Sequence, residues 1–410
     1  MRWPGDPHHM SITLPGPTLG IVGGGQLGRM IAEAAAPLGV DVVVLDPTPD
    51  CPATPVARDQ VVADFDDPDG IRELASRVDA LTFEIELADP EALAAAAAEH
   101  DVPVHPDPET LETIQDKLVQ AETLADAGIP EPAFAAVATE AGLERVVEEF
   151  GGVMLKARTG GYDGRGNVPV TDPADAADAL ATVGGDAMAE RFVEFEREIA
   201  VIGVKGPNGE TRTYPPTETV HREEILRESV SPARADDAVI ARAEAVAEDV
   251  LSVLDGRGVY GIELFETADG DVLANEIAPR PHNSGHWTIE GARSSQFENH
   301  VRAVLGWPLG PTDLVAPAAT ANLLGDVVEP APAVLHGVES VLAAPNATVH
   351  WYGKAETRPL RKMGHLTVTG SFRADTDRDG DDEAGDGVHE RDALLSRARE
   401  LRDATTFQSS

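Results

Sequence analysis

Residues 18–46 restrict the fold more than any other part of the chain. A short apolar run, Thr18–Val22, leads into the turn Gly23-Gly24-Gly25-Gln26-Leu27-Gly28. A helical pattern follows from about Arg29 to Leu38, and a second apolar run, Val40–Leu45, ends in Asp46. Such a strand–turn–helix–strand unit belongs to a parallel α/β sheet. Further β/α units read on through a strand near 80–85, a helix near 90–99 and a short strand at 102–105. Together they make a first domain of 18–114. An acid- and alanine-rich helix from about Gln115 to Ala127 opens a second domain of 115–310, in which strands alternate with turns and helices. Residues 311–410 read as a C-terminal domain, largely strands (347–352 and 365–370 among them), closed by a helix from about His389 to Arg402. Residues 1–17, rich in Pro, Gly and His, read as a flexible extension. The Asp- and Gly-rich run at 375–386 reads as a solvated loop.

Charge narrows the function classes. The 410 residues carry a formal net charge of −40. No basic face dominates such a surface, which excludes a generic nucleic-acid binder and disfavours anionic membranes. No apolar run approaches the roughly 20 residues of a membrane span, and the N-terminus has no signal-peptide core. With Cys51 as the single cysteine, no intramolecular disulfide or cysteine-rich metal site is available. The expected location is the cytoplasm. The cations comprise five lysines and 27 arginines. Acid-rich, lysine-poor surfaces suit concentrated salt, where a Debye length of about 3 Å at 1 M removes self-repulsion. A halophilic setting is therefore expected, with a melting temperature that climbs as KCl is added. Full stability and activity without added salt would overturn it.

Gly23, Gly25 and Gly28 match the dinucleotide fingerprint, in which glycines let a pyrophosphate approach a helix N-terminus. The other reading is a tight turn with close packing, and nothing later in the chain supplies a partner for hydride transfer. A second glycine-rich segment is more telling. The strand Val153-Met154-Leu155-Lys156 precedes Thr159-Gly160-Gly161-Tyr162-Asp163-Gly164-Arg165-Gly166-Asn167, with four glycines in nine residues. A loop of this kind offers backbone N–H groups to phosphate oxygens while the strand lysine neutralises them. Further on, Glu190-Arg191-Phe192-Val193 reads as a connector whose backbone suits an adenine edge, and Glu198 as an acceptor for ribose hydroxyls. Finally, Glu263 and Glu276 stand on the two arms of a predicted hairpin. Two carboxylates side by side repel unless a divalent cation joins them, and Mg²⁺ takes few protein carboxylates. Asn275 adds a neutral oxygen beside them.

Lysine strand, glycine loop, adenine connector and Glu…Asn-Glu hairpin together resemble the ATP-grasp superfamily. Longer motifs narrow this. Ile21–Met30, Gly160–Asn167, the run Asn275-Glu276-Ile277-Ala278-Pro279-Arg280-Pro281-His282-Asn283-Ser284-Gly285-His286-Trp287-Thr288, and Trp351-Tyr352-Gly353-Lys354 with Arg358, Arg361, Lys362, Gly364 and His365 closely resemble the N5-carboxyaminoimidazole ribonucleotide synthetase family. The likeness covers about 18 to 370. It implies an ATP-grasp fold of mixed α/β and α+β class, with a Rossmann-like N-terminal domain and a small β-rich C-terminal one. It also implies carboxylation of 5-aminoimidazole ribonucleotide with ATP and bicarbonate in purine biosynthesis.

The resemblance also implies roles. ATP would be bound by Lys117, Lys156, Gly161, Tyr162, Asp163, Gly164, Arg165, Gly166, Asn167, Glu190, Arg191, Phe192, Val193, Glu198, His221, Asn275 and Glu276. Mg²⁺ would be held by Glu263 and Glu276. The ribonucleotide would be met by Gln26, Leu27, Glu84, Glu86, Tyr162, Asp163, Arg165 and Arg280, with Lys354 and Arg361 on its 5′-phosphate. Lys156, Arg280, His282 and Asn283 are the catalytic candidates, and no general base is singled out. A homodimer and hand-over of product to the mutase next in the pathway are implied in the same way. The alternatives are a formate-using ligase of the same fold and a non-catalytic nucleotide-binding module. The runs at 283–287 and 354–361 argue against the first, and intact Lys156, Glu263 and Glu276 against the second.

Overall fold

The strand Thr18–Val22 takes an inner place in a four-stranded parallel sheet ordered Asp59–Val61, Asp41–Leu45, Thr18–Val22, Ala80–Phe83. This is a computed structural model, and it describes residues 12–160, 166–371 and 384–408. Side-chain alternation sends Leu19, Ile21, Val42 and Val44 toward the helix Gln26–Ala35 on one face. Val22, Val43 and Leu45 meet the helices Pro68–Ala75 and Pro90–His100 on the other. The first helix begins three residues earlier than its apolar pattern suggested, because Gly25 itself is the N-cap. Its last turn tightens into a 3₁₀ stretch, Ala36–Leu38, around Pro37. The expected short strand at 102–105 is reduced to a single parallel bridge between Leu81 and Val104.

Among the described residues, Asp-Pro dipeptides start three α-helices. Asp67, Asp89 and Asp107 each accept a backbone N–H from the first turn, and the following proline sits where its missing donor costs nothing. Some of the acidic excess is therefore capping. The helix expected over Gln115–Ala127 is Lys117–Asp126, and a further helix, Pro108–Gln115, directly precedes it. The break falls at Asp116, which leaves helical geometry, caps the second helix and receives Arg158 Nε at 3.0 Å.

A four-stranded antiparallel sheet (Phe134–Val137, Ala187–Arg191, Val153–Ala157, Asn167–Val170) stands over a nine-stranded one. The larger sheet runs from Val272–Ala278 through Gly258–Thr267, Phe195–Lys205, Thr217–Arg222 and Ile225–Ser231 into Ala318–Leu324, Lys362–Thr369 and Ala347–Trp351, with Thr211–Thr213 as a ninth strand paired to Phe195–Lys205. Ile225–Ser231 pairs directly with Ala318–Leu324, so strands from both sides of residue 310 share one sheet. The helix Ala384–Asp403 covers its C-terminal half through Leu394, Leu395, Ala398 and Leu401. Residues 384–386 of the acidic run belong to this helix, and 375–383 lie outside the described residues. Lys205 donates to Leu251 O at 3.2 Å and to Leu254 O, satisfying carbonyls at the end of the helix Asp237–Val253. Among the described residues no helix is long and apolar enough to cross a membrane.

Candidate active site

The hairpin Gly258–Thr267 and Val272–Ala278 pairs with Glu263 directly opposite Glu276. Burial pushes the Glu263 carboxyl up to about 7; Glu276 and Glu198 add to the rise, and His221 opposes it. His221 Nε2 stands 3.9 Å and His282 Nε2 3.7 Å from Glu263. The other nitrogen of His221 pairs with Glu198 at 2.9 Å. Burial works against charge on His221, yet Glu198 and Glu263 outweigh it and raise its pKa. Glu276 behaves oppositely to Glu263. Half-exposed and 3.5 Å from Lys117 Nζ, it is held below the usual carboxylate range by that lysine, with help from Lys156 and Arg280. Among the described residues no group of three or more His, Cys, Asp and Glu is arranged to hold a metal. Two hard, anionic oxygen donors facing each other do fit Mg²⁺, which completes its shell with water and phosphate.

Lys156 is buried at the end of the strand Val153–Ala157, 2.7 Å from Glu190 and 3.4 Å from Asn275 Oδ1. Lys117, Lys156, Glu190, Glu198, His221, Glu263, Asn275 and Glu276 thus form one connected set between the two antiparallel sheets. Asn167 opens the strand Asn167–Val170 with its Oδ1 buried and, among the described residues, unpartnered. Gly166 precedes it with φ of +87°. Gly161, Tyr162, Asp163, Gly164 and Arg165 lie outside the described residues. After Glu190 the connector turns outward: Arg191 and Phe192 are exposed and Val193 is half-buried.

At the first glycine turn the structure decides between the two sequence readings. Glu84 accepts from the N–H groups of Gly25 and Leu27, the latter at 3.1 Å, and Asp46 Oδ2 accepts from Gly24 N at 3.0 Å. The donors that would cradle a pyrophosphate are already taken by carboxylates, which repel phosphate. The turn is a packing device. A Cβ on Gly25 would fall 2.7 Å from Glu84 Oε1, and one on Gly28 would fall 2.6 Å from Gly23 O. Leu27, a candidate ribonucleotide contact, has its side chain in the core and its N–H on Glu84. It therefore stands behind the site, whereas Gln26 remains half-exposed. Burial lifts the Glu84 carboxyl to about 7, against the pull of the Gly25 and Gly28 N–H groups and of Arg280.

Glu86 is placed differently from Glu84. It meets Arg280 Nη2 at 2.7 Å and 3.0 Å, and Arg280 Nη1 donates to Pro281 O. Burial disfavours the Arg280 charge, but Glu86, Glu84 and Glu276 more than restore it. Arg280 therefore bridges the first domain and the metal-type hairpin. Its Nε, and Asn283 Oδ1 beyond it, are buried without partners among the described residues. Burial and Arg280 push the His282 pKa well below its ordinary value, so the ring is neutral. Lys354 joins from the C-terminal part. Its Nζ lies 5.8 Å over the Tyr352 ring and donates to Lys362 O at 2.7 Å, and it senses both Glu84 and Arg361. Arg361 donates to Glu356 O at 2.7 Å. Sequence reasoning missed Gln296, whose amide clamps the backbone of His282 through contacts of 2.9 and 2.7 Å. No local pattern marks it, because the contact crosses from one helix to a distant loop. Asp116 and its partner Arg158 were missed for the same reason.

Three family models match consecutive stretches: a ribonucleotide synthetase preATP-grasp domain at residues 17–115, an ATP-grasp domain at 122–297, and a phosphoribosylaminoimidazole carboxylase C-terminal domain at 318–379. The N5-carboxyaminoimidazole ribonucleotide synthase of Brucella melitensis is 43% identical over 357 residues, 86% of this chain and 96% of that one. The crystal structure of the Thermotoga maritima N5-carboxyaminoimidazole ribonucleotide synthetase superposes with a TM-score of 0.83 at 39% identity, covering 95% of this chain and 99% of that one. The Aspergillus clavatus N5-carboxyaminoimidazole synthase, solved with ADP and 5-aminoimidazole ribonucleotide, gives a TM-score of 0.83 at 35% identity over 94% and 98%.

Proposed function

The chain belongs to the N5-carboxyaminoimidazole ribonucleotide synthase family, and from that premise we propose how its own residues carry the reaction. It is an ATP-dependent ligase of purine biosynthesis that carboxylates 5-aminoimidazole ribonucleotide. The observation that carries the residue assignment is Arg280. It joins the lysine- and carboxylate-lined side (Lys117, Lys156, Glu263, Glu276) to the side built by Glu84, Glu86 and Lys354.

On the first side, Lys156 and Lys117 meet the ATP phosphates, the 190–193 backbone the adenine, and Glu198 the ribose. Mg²⁺, held by Glu263 and Glu276 when bound, supplies charge neutralisation at the phosphoryl oxygens. A bicarbonate oxygen attacks the γ-phosphorus, releasing ADP and leaving carboxyphosphate. The amine nitrogen of the ribonucleotide then attacks its carbon, or that of the CO₂ it sheds, with loss of phosphate and a proton. Arg280 presents a planar fork suited to the carboxylate-like intermediate, and its unpartnered Nε is a donor free to meet it. Asn283 Oδ1 supplies a buried acceptor for the amine. His282, neutral in its pocket, accepts from Ser284 N at Nδ1, so its Nε2 carries the proton and is the donor turned toward Glu263. Carboxyphosphate hydrolyses readily, so the reaction needs a site from which water is excluded. Lys354 and Arg361 receive the 5′-phosphate. A homodimer, product hand-over to the following mutase, a cytoplasmic location and work in concentrated salt complete the reading; the first two are supported by family resemblance, the last two by composition.

Phosphate release from ATP, measured in concentrated KCl, should require both 5-aminoimidazole ribonucleotide and bicarbonate. Equal release with formate in place of bicarbonate would overturn the carboxylation assignment.

A further inference from the structure

Behind the ribonucleotide side lies a buried cluster that the reaction as described does not use. The rings of His286, His365 and His350 form one stack, with His365 in the middle at centroid distances of 4.6 Å and 4.5 Å. His365 and His286 are almost wholly buried. Tyr352 sets its ring edge-on to His286 and its hydroxyl 2.8 Å from His365 Nδ1. At the outer end, His350 Nε2 meets Glu290 Oε1 at 2.6 Å.

The stack gathers parts that are far apart in sequence. His286 ends the segment carrying Arg280, His282 and Asn283, and Gln296 ties its ring to the His282 backbone. Tyr352 lies under Lys354 Nζ, and His365 stands on the strand Lys362–Thr369 whose first carbonyl receives that ammonium. Burial lowers the pKa of both inner histidines well below the ordinary value, so they pack as neutral rings. A well-packed neutral stack fixes distances, because shifting one ring disturbs both neighbours.

We propose that His365 is a positioning residue for ribonucleotide binding. Through Tyr352 and His286 it sets the spacing between Lys354, which receives the 5′-phosphate, and the Arg280–Asn283 segment, which meets the imidazole end. This rests on the reading of Lys354 given above. A polar cluster of three imidazoles is a poor choice for packing alone. The Nε2 of His365 has no partner among the described residues, a desolvation cost that an apolar core would avoid.

The test compares His365→Leu, His365→Asn, Tyr352→Phe and Lys354→Met by steady-state kinetics with each substrate varied in turn. His365→Leu should raise the KM for the ribonucleotide by about tenfold or more, as displaced binding groups do, while the KM for ATP stays within a factor of about two. His365→Asn places an amide where Nδ1 lies and should recover most of the loss; Tyr352→Phe, which keeps the ring and loses the hydroxyl, should show part of it. If Lys354→Met leaves the ribonucleotide KM unchanged, the phosphate reading of Lys354 fails. If Lys354→Met raises it and His365→Leu and Tyr352→Phe do not, or if they raise both KM values alike, the positioning proposal fails. Should His365→Leu not fold, Tyr352→Phe alone decides.

Discussion

Glu263→Gln and Glu276→Gln should each lower turnover by roughly a hundred- to a thousandfold, the loss that follows removal of a group stabilising transition-state charge, while moving stability in opposite directions. Glu263 is a buried carboxylate pressed against Glu276 and Glu198, with its pKa raised to about 7. The native state then binds the proton more tightly than the unfolded chain does. The resulting penalty is absent below the unfolded value near 4.5, grows as pH rises, and is complete above about 7. Glu263→Gln removes it, so the variant should melt higher than the parent at pH 8, with the difference fading toward pH 5.

Glu276 has the other sign. Lys117 holds its pKa below the ordinary value, so its carboxylate stabilises the native state above the unfolded pKa and loses that contribution as pH falls. Glu276→Gln strips Lys117 of its partner and should melt lower at pH 8. Paired thermal melts and turnover assays at pH 5 and pH 8 check both variants. Undiminished turnover in Glu276→Gln would sink the metal assignment, and a Glu263→Gln variant less stable than the parent at pH 8 would sink the account of a carboxylate penalised by burial and then by its acidic neighbours. Stability given up in this way at a reacting centre is common where charge awaits a ligand.

Parts of this site were legible because their chemistry is local. Glu263 and Glu276 lie either side of a turn and pair in register; Lys156 ends an apolar strand a few residues before the glycines. The parallel sheet was legible for the same reason, since Thr18–Val22, its turn and Asp41–Leu45 are consecutive. What stayed hidden depends on long-range contacts. Glu84 reaches Gly25 and Leu27 across more than 55 residues, and only that contact separates a packing turn from a phosphate cradle. Gln296 grips His282 from a helix with its own apolar face. The histidine stack assembles from two strands and a loop, so each ring alone reads as an isolated core histidine. The strands past residue 310 were legible as strands, but that they extend the sheet of the preceding segment depends on the pairing of Ile225–Ser231 with Ala318–Leu324, which composition does not encode. The five lysines are put to different uses. Lys117 and Lys156 meet site carboxylates, but Lys205 satisfies helix carbonyls, a structural use of an ammonium that its Gly-Pro-Asn-Gly context does not suggest.

Lys354→Met should raise the ribonucleotide KM by roughly ten- to a hundredfold, the range for losing a charge-assisted hydrogen bond. The pH dependence of the parent enzyme points the same way. Burial, and then Arg361, press the Lys354 pKa down to about 8, with Glu84 opposing. The ammonium is therefore present below about pH 8 and lost above it, so kcat/KM for the ribonucleotide should fall as pH rises through 8 while the KM for ATP holds. In Lys354→Arg that fall should vanish, because a guanidinium stays charged throughout. Stability should again run against function. A lysine whose pKa is lowered by folding binds its proton less tightly in the native state, so the penalty is full below pH 8 and relieved between 8 and about 10.5. Lys354→Met should accordingly melt higher than the parent at pH 7, and that advantage should shrink toward pH 10. A bound phosphate dianion would offset the same penalty in the parent, so adding the ribonucleotide should raise the parent's melting temperature more than the variant's. Equal shifts in the two proteins would show that the 5′-phosphate binds elsewhere.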